Sequence, residues 1–219
     1  YFFILTVLFS CKKRTLFEQI PSSYSGVNFS NTVVENDTIN PLDKMNIYNG
    51  GGVGVGDFNG DGLQDIYFAG NAVSNRLYIN KGNLKFEDVT AVAGVGGKGG
   101  WGRGVAVVDI NSDGWPDIYV CNTLLSDSNK RRNLLYVNQG PDKNGVPHFK
   151  EMAKEYGLDI TVHSTMASFF DFDNDGDLDM YLTVNDVEKT ENTSLFKPII
   201  KDGTALSTGG LYRNDWEPV

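Results

Sequence analysis

The sequence predicts an all-β chain, a partial β-propeller assembled from four-stranded blades. Three observations predict it. A nine-residue acidic loop occurs three times, at residues 57–65, 109–117 and 171–179. Short runs of β-branched and aromatic residues flank every copy, and Gly, Asn and Asp punctuate them, as strands and turns require. The composition is turn-rich, with Gly 25 and Pro 7 in 219 residues, yet 40% hydrophobic, which suffices for a core.

The chain opens on the almost wholly apolar run 1–10, followed by Cys11-Lys12-Lys13-Arg14. As a helix this run reaches only ~15 Å, about half of a bilayer core. It reads as the apolar region of a secretory signal. Leu8-Phe9-Ser10-Cys11 resembles a bacterial lipobox, in which the cysteine is lipidated and becomes the mature N-terminus. Residues 1–11 are therefore assigned to a lipoprotein signal ending at a lipidated Cys11, the alternative being a plain signal with a chance cysteine. No initiator Met is present, so the signal's charged start is expected to be missing. With Cys11 lipidated, Cys121 has no partner for an internal disulfide. It sits in the apolar run Ile118-Tyr119-Val120-Cys121 and is expected to be a core residue.

Residues 12–48 read as a linker with a lead-in outer strand. The blades come next, at about 49–100, 101–162 and 163–219. Their first strands are Val53–Val55, Val105–Val108 and Met166–Phe170, and their second strands are Ile66–Phe68, Ile118–Val120 and Met180–Leu182. The third recurs as Leu77-Tyr78-Ile79-Asn80, Leu135-Tyr136-Val137-Asn138 and Leu211-Tyr212-Arg213-Asn214. The fourth recurs as Phe86-Glu87-Asp88-Val89 and Phe149-Lys150-Glu151-Met152, each running on to a Gly and an apolar residue. Phe17-Glu18-Gln19-Ile20, with Gly26-Val27 downstream, matches that fourth unit but has no blade before it. The third unit reaches Val219 before a fourth strand of its own. A ring takes about four to eight blades, so the natural protein is expected to be longer.

The loops read Asp-x-[Asn/Asp]-x-Asp-Gly-x-x-Asp. Side-chain oxygens at positions 1, 3, 5 and 9, with the carbonyl of position 7, can converge on one hard cation. The donors would be Asp57, Asn59, Asp61, Leu63 and Asp65; Asp109, Asn111, Asp113, Trp115 and Asp117; and Asp171, Asp173, Asp175, Asp177 and Asp179. Ca²⁺ takes about six to eight oxygens and needs neither His nor Cys, whereas Mg²⁺ demands a tighter octahedron. Eleven of the 28 acidic residues lie in these loops, and such crowding is repulsive unless a cation sits among them. About three Ca²⁺ sites are expected, the bland alternative being three Asx-rich turns. An EF-hand would need a Glu at position 12 and helical flanks. Position 12 is Phe68, Val120 and Leu182, and the flanks are strands.

Charge and motif content exclude other classes. A net charge of −9 argues against a nucleic-acid partner, which demands a basic face. The glycine-rich stretch 94–104 lacks the Gly-Lys-Ser/Thr ending of a phosphate loop. The only histidines are His148 and His163, and no nucleophile elbow or transition-metal cluster is visible.

Loops of this pattern inside four-strand repeats resemble FG-GAP/VCBS repeats of the integrin-α N-terminal propeller type, over residues 17–219. The whole chain is similar to the N-terminal part of bacterial VCBS-repeat lipoproteins of the cartilage-acidic-protein-like group in Bacteroidota. The resemblance implies an extracytoplasmic protein whose calcium ions stiffen the blade loops. It implies a binding or adhesion module for glycan or protein ligands, rather than a catalyst, held to the outer membrane by lipid alone. The alternative is the propeller of a polysaccharide-degrading enzyme or of an accessory subunit in glycan uptake. Surface-exported lipoproteins often carry acidic residues after the lipidated Cys. Lys12-Lys13-Arg14 stand there instead, which leaves cell-surface and periplasm-facing placements both open.

Asn49, Trp101 and His163 each lie eight residues before a first loop Asp. First strands line a propeller's channel, so these positions are expected to meet at a funnel mouth, as a ligand surface with an exposed indole. The competing expectation is that Trp101 is wedged between blades as core.

Overall fold

The computed structural model describes residues 15–44, 46–97, 99–185 and 209–214. Three antiparallel sheets succeed one another along the chain. The first holds β1 (Val53–Gly56), β2 (Asp65–Phe68), β3 (Arg76–Asn80) and β4 (Phe86–Asp88) in sequential order. The second holds β5 (Gly102–Val108), β6 (Asp117–Asn122), β7 (Leu134–Pro141) and β8 (Pro147–Glu151). The third holds β9 (Ser164–Phe170), β10 (Asp179–Val184) and β11 (Gly210–Tyr212). These are two four-stranded blades and a three-stranded one, a partial β-propeller. Within the blades, each predicted strand core lies in the expected element. β5 begins earlier than expected because a bulge between Gly102 and Gly104 lets the strand continue.

Period-two alternation explains the packing. β6 is buried along its whole length because a neighbouring blade covers each face. Ile118 and Val120 enter the core shared with the first blade, beside Phe58, Leu77 and Tyr136. Tyr119 and Cys121 enter the core shared with the third, beside Met180 and Leu182. Cys121 is the buried free thiol that its apolar run predicted, and burial pushes its pKa up to about 12. The innermost strands meet through glycine. A Cβ on Gly54 would come within 2.7 Å of Val105 Cγ1, and one on Gly104 would collide with the Thr165 carbonyl of β9. Side chains there would force the blades apart.

Two short helical turns were not anticipated. α1 (Ser22–Ser25) precedes the first blade and α2 (Thr90–Ala93) comes after β4. Each ends on a left-handed glycine, Gly26 (φ 79°) and Gly94 (φ 78°), whose N–H closes the turn. The lead-in segment Phe17–Ile20 is not a strand. It is exposed, with Phe17 86% accessible. The stretch from Gly26 to Phe29 does dock on the first blade. A Cβ on Gly26 would lie 2.5 Å from the Phe86 carbonyl of β4, and Phe29 stacks on Phe68 at 4.9 Å. Cys11 and the signal segment lie outside the described residues.

Candidate metal centre

The three loops join the first strand of each blade to the second. In an antiparallel meander they therefore sit at the same end of every blade. Their backbones share one shape. Position 6 is left-handed in all three, at Gly62 (φ 83°), Gly114 (90°) and Gly176 (99°). Position 4 is left-handed too, at Gly60 (73°), Ser112 (55°) and Asn174 (63°). The sequence signalled the first of these, Gly in every loop, but not the second, where Gly, Ser and Asn alternate and only Gly and Asn favour the left-handed region.

Those turns aim backbone amides at the carboxylates. Asp57 accepts from Gly60 N and Gly62 N, both at 2.8 Å. Asp109 accepts from Asp113 N (3.1 Å) and Gly114 N (2.9 Å), and Asp171 from Asn174 N (2.7 Å) and Gly176 N (3.1 Å). At position 5, Asp61, Asp113 and Asp175 accept from the amides of Leu63, Trp115 and Asp177 at 2.9, 2.8 and 3.2 Å. Asn59 and Asn111 at position 3 donate side-chain N–H groups to Asp61 and Asp113.

Position 9 is the anchor. Asp65, Asp117 and Asp179 are buried, and each holds an amide of its own loop with one oxygen and an amide at or just after the third strand with the other. Asp65 accepts from Phe58 N (2.9 Å) and Asn80 N (2.8 Å). Asp117 accepts from Ile110 N (2.9 Å) and Asn138 N (2.7 Å), and Asp179 from Phe172 N (3.0 Å) and Asn214 N (2.8 Å). Each carboxylate thus ties its loop to the third strand of its blade. Sequence reasoning missed the partners Asn80, Asn138 and Asn214. The signal was present in the recurring Leu-Tyr-x-Asn of the third strand.

Burial pushes the pKa of Asp65 up to about 6, against the lowering pull of the Asn80 and Phe58 amides, and Asp61 and Asp57 add to the rise. Asp117 is likewise pushed up to about 6 by burial, with Asp113 and Asp109 adding. In the third loop desolvation comes first for both Asp173 and Asp177, and Asp175 pushes both further up. Oxygens of Asp171, Asp173 and Asp179 lie within 4.8 Å of one another. Asp177 Oδ1 is buried with no hydrogen-bond partner. An all-oxygen set of this kind, with an orphaned carboxylate oxygen, fits a hard divalent cation.

The expected funnel residues do not form an exposed aromatic surface. Trp101 is 2% exposed and packs in a buried cluster with Ile47 and Leu124. Residues of the segment before the first blade, Ile47 with Val33 and Ile39, pack with its indole, so apolar burial outweighs display. His163 Nδ1 accepts the Leu124 N–H at 3.1 Å, while Asn49 is exposed and bonded to Asn46.

Repeated four-stranded blades with an aspartate loop between first and second strands define an FG-GAP repeat protein of the propeller type. Residues 57–120, which span loops 1 and 2, match the profile of the FG-GAP-like repeat. The chain resembles cartilage acidic protein 1. It is 32% identical to that of Xenopus tropicalis over 139 residues, covering 63% of this chain and 20% of the relative. It is 30% identical to the Mus musculus protein over 154 residues, covering 70% of this chain and 22% of the relative. The human protein is 29% identical over 157 residues, with 71% and 22% covered. The chain spans about a fifth of the length of these relatives.

Proposed function

We propose that the chain is a calcium-binding, extracytoplasmic propeller module that binds glycan or protein ligands at the cell envelope. It is anchored through lipid on Cys11, with no nucleic-acid role and no catalytic one. The observation that carries the calcium reading is the third loop, where the carboxylates of Asp171, Asp173 and Asp179 converge and the same loop holds a buried Asp177 oxygen without a hydrogen-bond partner. Loops 1 and 2 repeat its backbone shape with two fewer carboxylates, Asn standing at position 3 and Leu63 or Trp115 at position 7.

In this reading calcium and ligand occupy opposite ends of the blades, which the meander topology supports. Loops from first to second strand lie at one end of each blade, and links from second to third strand lie at the other. A cleft of about 550 Å³ opens at that other end, lined by Asn36, Lys44, Ser74, Asp127 and Lys130 with Leu125 and the edge of Trp101. Charged and amide groups beside small apolar faces suit a polar ligand with an apolar side. Calcium then stiffens the blades from beneath and takes no direct part in ligand contact.

A thermal melt tests the calcium assignment. EDTA should lower the melting temperature and Ca²⁺ restore it, because a ligand of the folded state stabilises by mass action. Asp175→Ala should weaken the third site most. A melt indifferent to both EDTA and Ca²⁺ in protein shown to start metal-free refutes the reading. For the ligand face, Lys130→Ala with Asp127→Ala should abolish binding on a glycan array while leaving the melt unchanged.

A further inference from the structure

Loops 1 and 2 are joined by side chains that belong to neither strand pairing nor cation ligation. Asn138 on β7 is completely buried. Its Nδ2 donates to the Phe58 carbonyl of loop 1 at 2.9 Å and to the Pro116 carbonyl of loop 2 at 3.1 Å. Its backbone N–H donates to Asp117 Oδ1, and the Gly140 N–H donates to Asn138 Oδ1 at 3.0 Å, which fixes the amide's orientation. A second bridge is Trp115, position 7 of loop 2. Its indole lies on Gly60 of loop 1, where a Cβ would approach Cζ3 to 2.8 Å, and its other edge faces Gly140. Neither loop can change shape without disturbing a group held by the other.

We propose that loops 1 and 2 bind Ca²⁺ cooperatively, with Asn138 and Trp115 as positioning residues that carry the occupancy of one loop to the other. The inference rests on the calcium reading above. A cation in loop 2 would be held by the Trp115 carbonyl and the Asp117 carboxylate among its donors. Holding the first holds the indole against Gly60. Holding the second holds Asn138, and through it the Phe58 carbonyl next to Asp57. Loop 1 then meets its ion already ordered, and less conformational freedom is lost on binding. Asn80, the counterpart in the first blade, shows the own-loop half of this pattern, donating to Asp65 and to the Gln64 carbonyl.

The test is a Ca²⁺ titration of the calcium-stripped full chain by ¹⁵N NMR. The Gly62 and Gly114 amides report loops 1 and 2 separately, since each donates to its own position-1 Asp. Asp113→Ala should weaken Ca²⁺ binding at loop 1 roughly tenfold, and Asp61→Ala should weaken loop 2 by the same factor, because coupling is reciprocal. With Trp115→Leu, and with Asn138→Ser, that factor should fall towards one. If Asn138→Ser does not fold by circular dichroism, Trp115→Leu carries the test. Indifference of loop 1 to Asp113→Ala, or a factor unchanged by both replacements, overturns the coupling while calcium binding stands. If neither glycine responds to Ca²⁺, the calcium reading falls and the coupling falls with it.

Discussion

Asp65 and Asp117 have no exposed surface, and each faces two further aspartates of its own loop. Their folded pKa of about 6 stands above the ordinary 3.8. The folded state therefore holds these protons more tightly than the unfolded chain, and the groups favour folding most below the ordinary value. That contribution is lost as pH rises through about 6. Without calcium, both carboxylates are a liability at neutral pH. A cation reverses this, because it needs them ionised, and so Ca²⁺ affinity should fall as pH drops below about 6. Carboxyl ¹³C NMR should find both midpoints near 6 in EDTA and well below that in saturating Ca²⁺; midpoints near 4 in EDTA would contradict the burial argument. The identity of these residues as a set was legible in the sequence, since a nine-residue spacing recurs. Their division of labour was not. The recurring Leu-Tyr-x-Asn marked Asn80, Asn138 and Asn214 as equivalent positions, but their pairing with position 9 spans 15 to 35 residues and follows only once the strands are placed side by side.

At the level of elements, strands were legible and their surroundings were not. β-branched and aromatic runs carry their own tendency to extend. Trp101 shows the limit: its spacing from Asp109 matches Asn49 and His163, yet equivalent positions in a repeat need not share exposure. Ile47, which closes over it, comes from the segment before the first blade. Trp101→Ala should cost about 3–5 kcal/mol, as loss of a buried large aromatic does. Urea unfolding measures it, and a near-normal midpoint would return the residue to the surface. The lead-in segment is a mixed case. Its likeness to β4 lies in Phe17 and Ile20, while its observed kinship lies further on, where α1 and Gly26 sit on the first blade as a post-strand turn. A Cβ on Gly94 would likewise lie 3.7 Å from the Phe149 carbonyl of the second blade. The turns themselves went unread, because four residues leave too short a periodicity to recognise.

Across the whole molecule, the second blade is the one flanked on both faces by described sheets. A repeat array draws its stability from the interfaces between neighbours as well as from each unit. Amides of β6 and β7 should therefore exchange slowest, and those of β1 and β11 fastest. Native-state hydrogen exchange followed by mass spectrometry decides this, and uniform protection across the blades would show that they do not behave as separate stacked units. At the first junction Phe149 packs edge-on to Phe58 at 6.0 Å. At the second, the corresponding Ile110, Phe169, Met180 and Tyr212 line a cavity of about 530 Å³. β11 has β10 on one side, and no described strand pairs with its other edge.

The glycine contacts between β1, β5 and β9 set a dimension that no single blade contains. With no side chain at Gly54 or Gly104, the inner margins of adjacent sheets nearly touch. Further out, Phe58, Tyr136 and Phe149 hold the same sheets apart. Two plates pinched at one margin and propped open at the other form a wedge, and the taper of the wedge decides how many are needed to complete a circle. The gradient of residue size from axis to rim therefore acts as a protractor. Bulk added at the pinch would flatten the taper and enlarge the circle, whereas bulk removed at the prop would flatten it by letting the rim collapse.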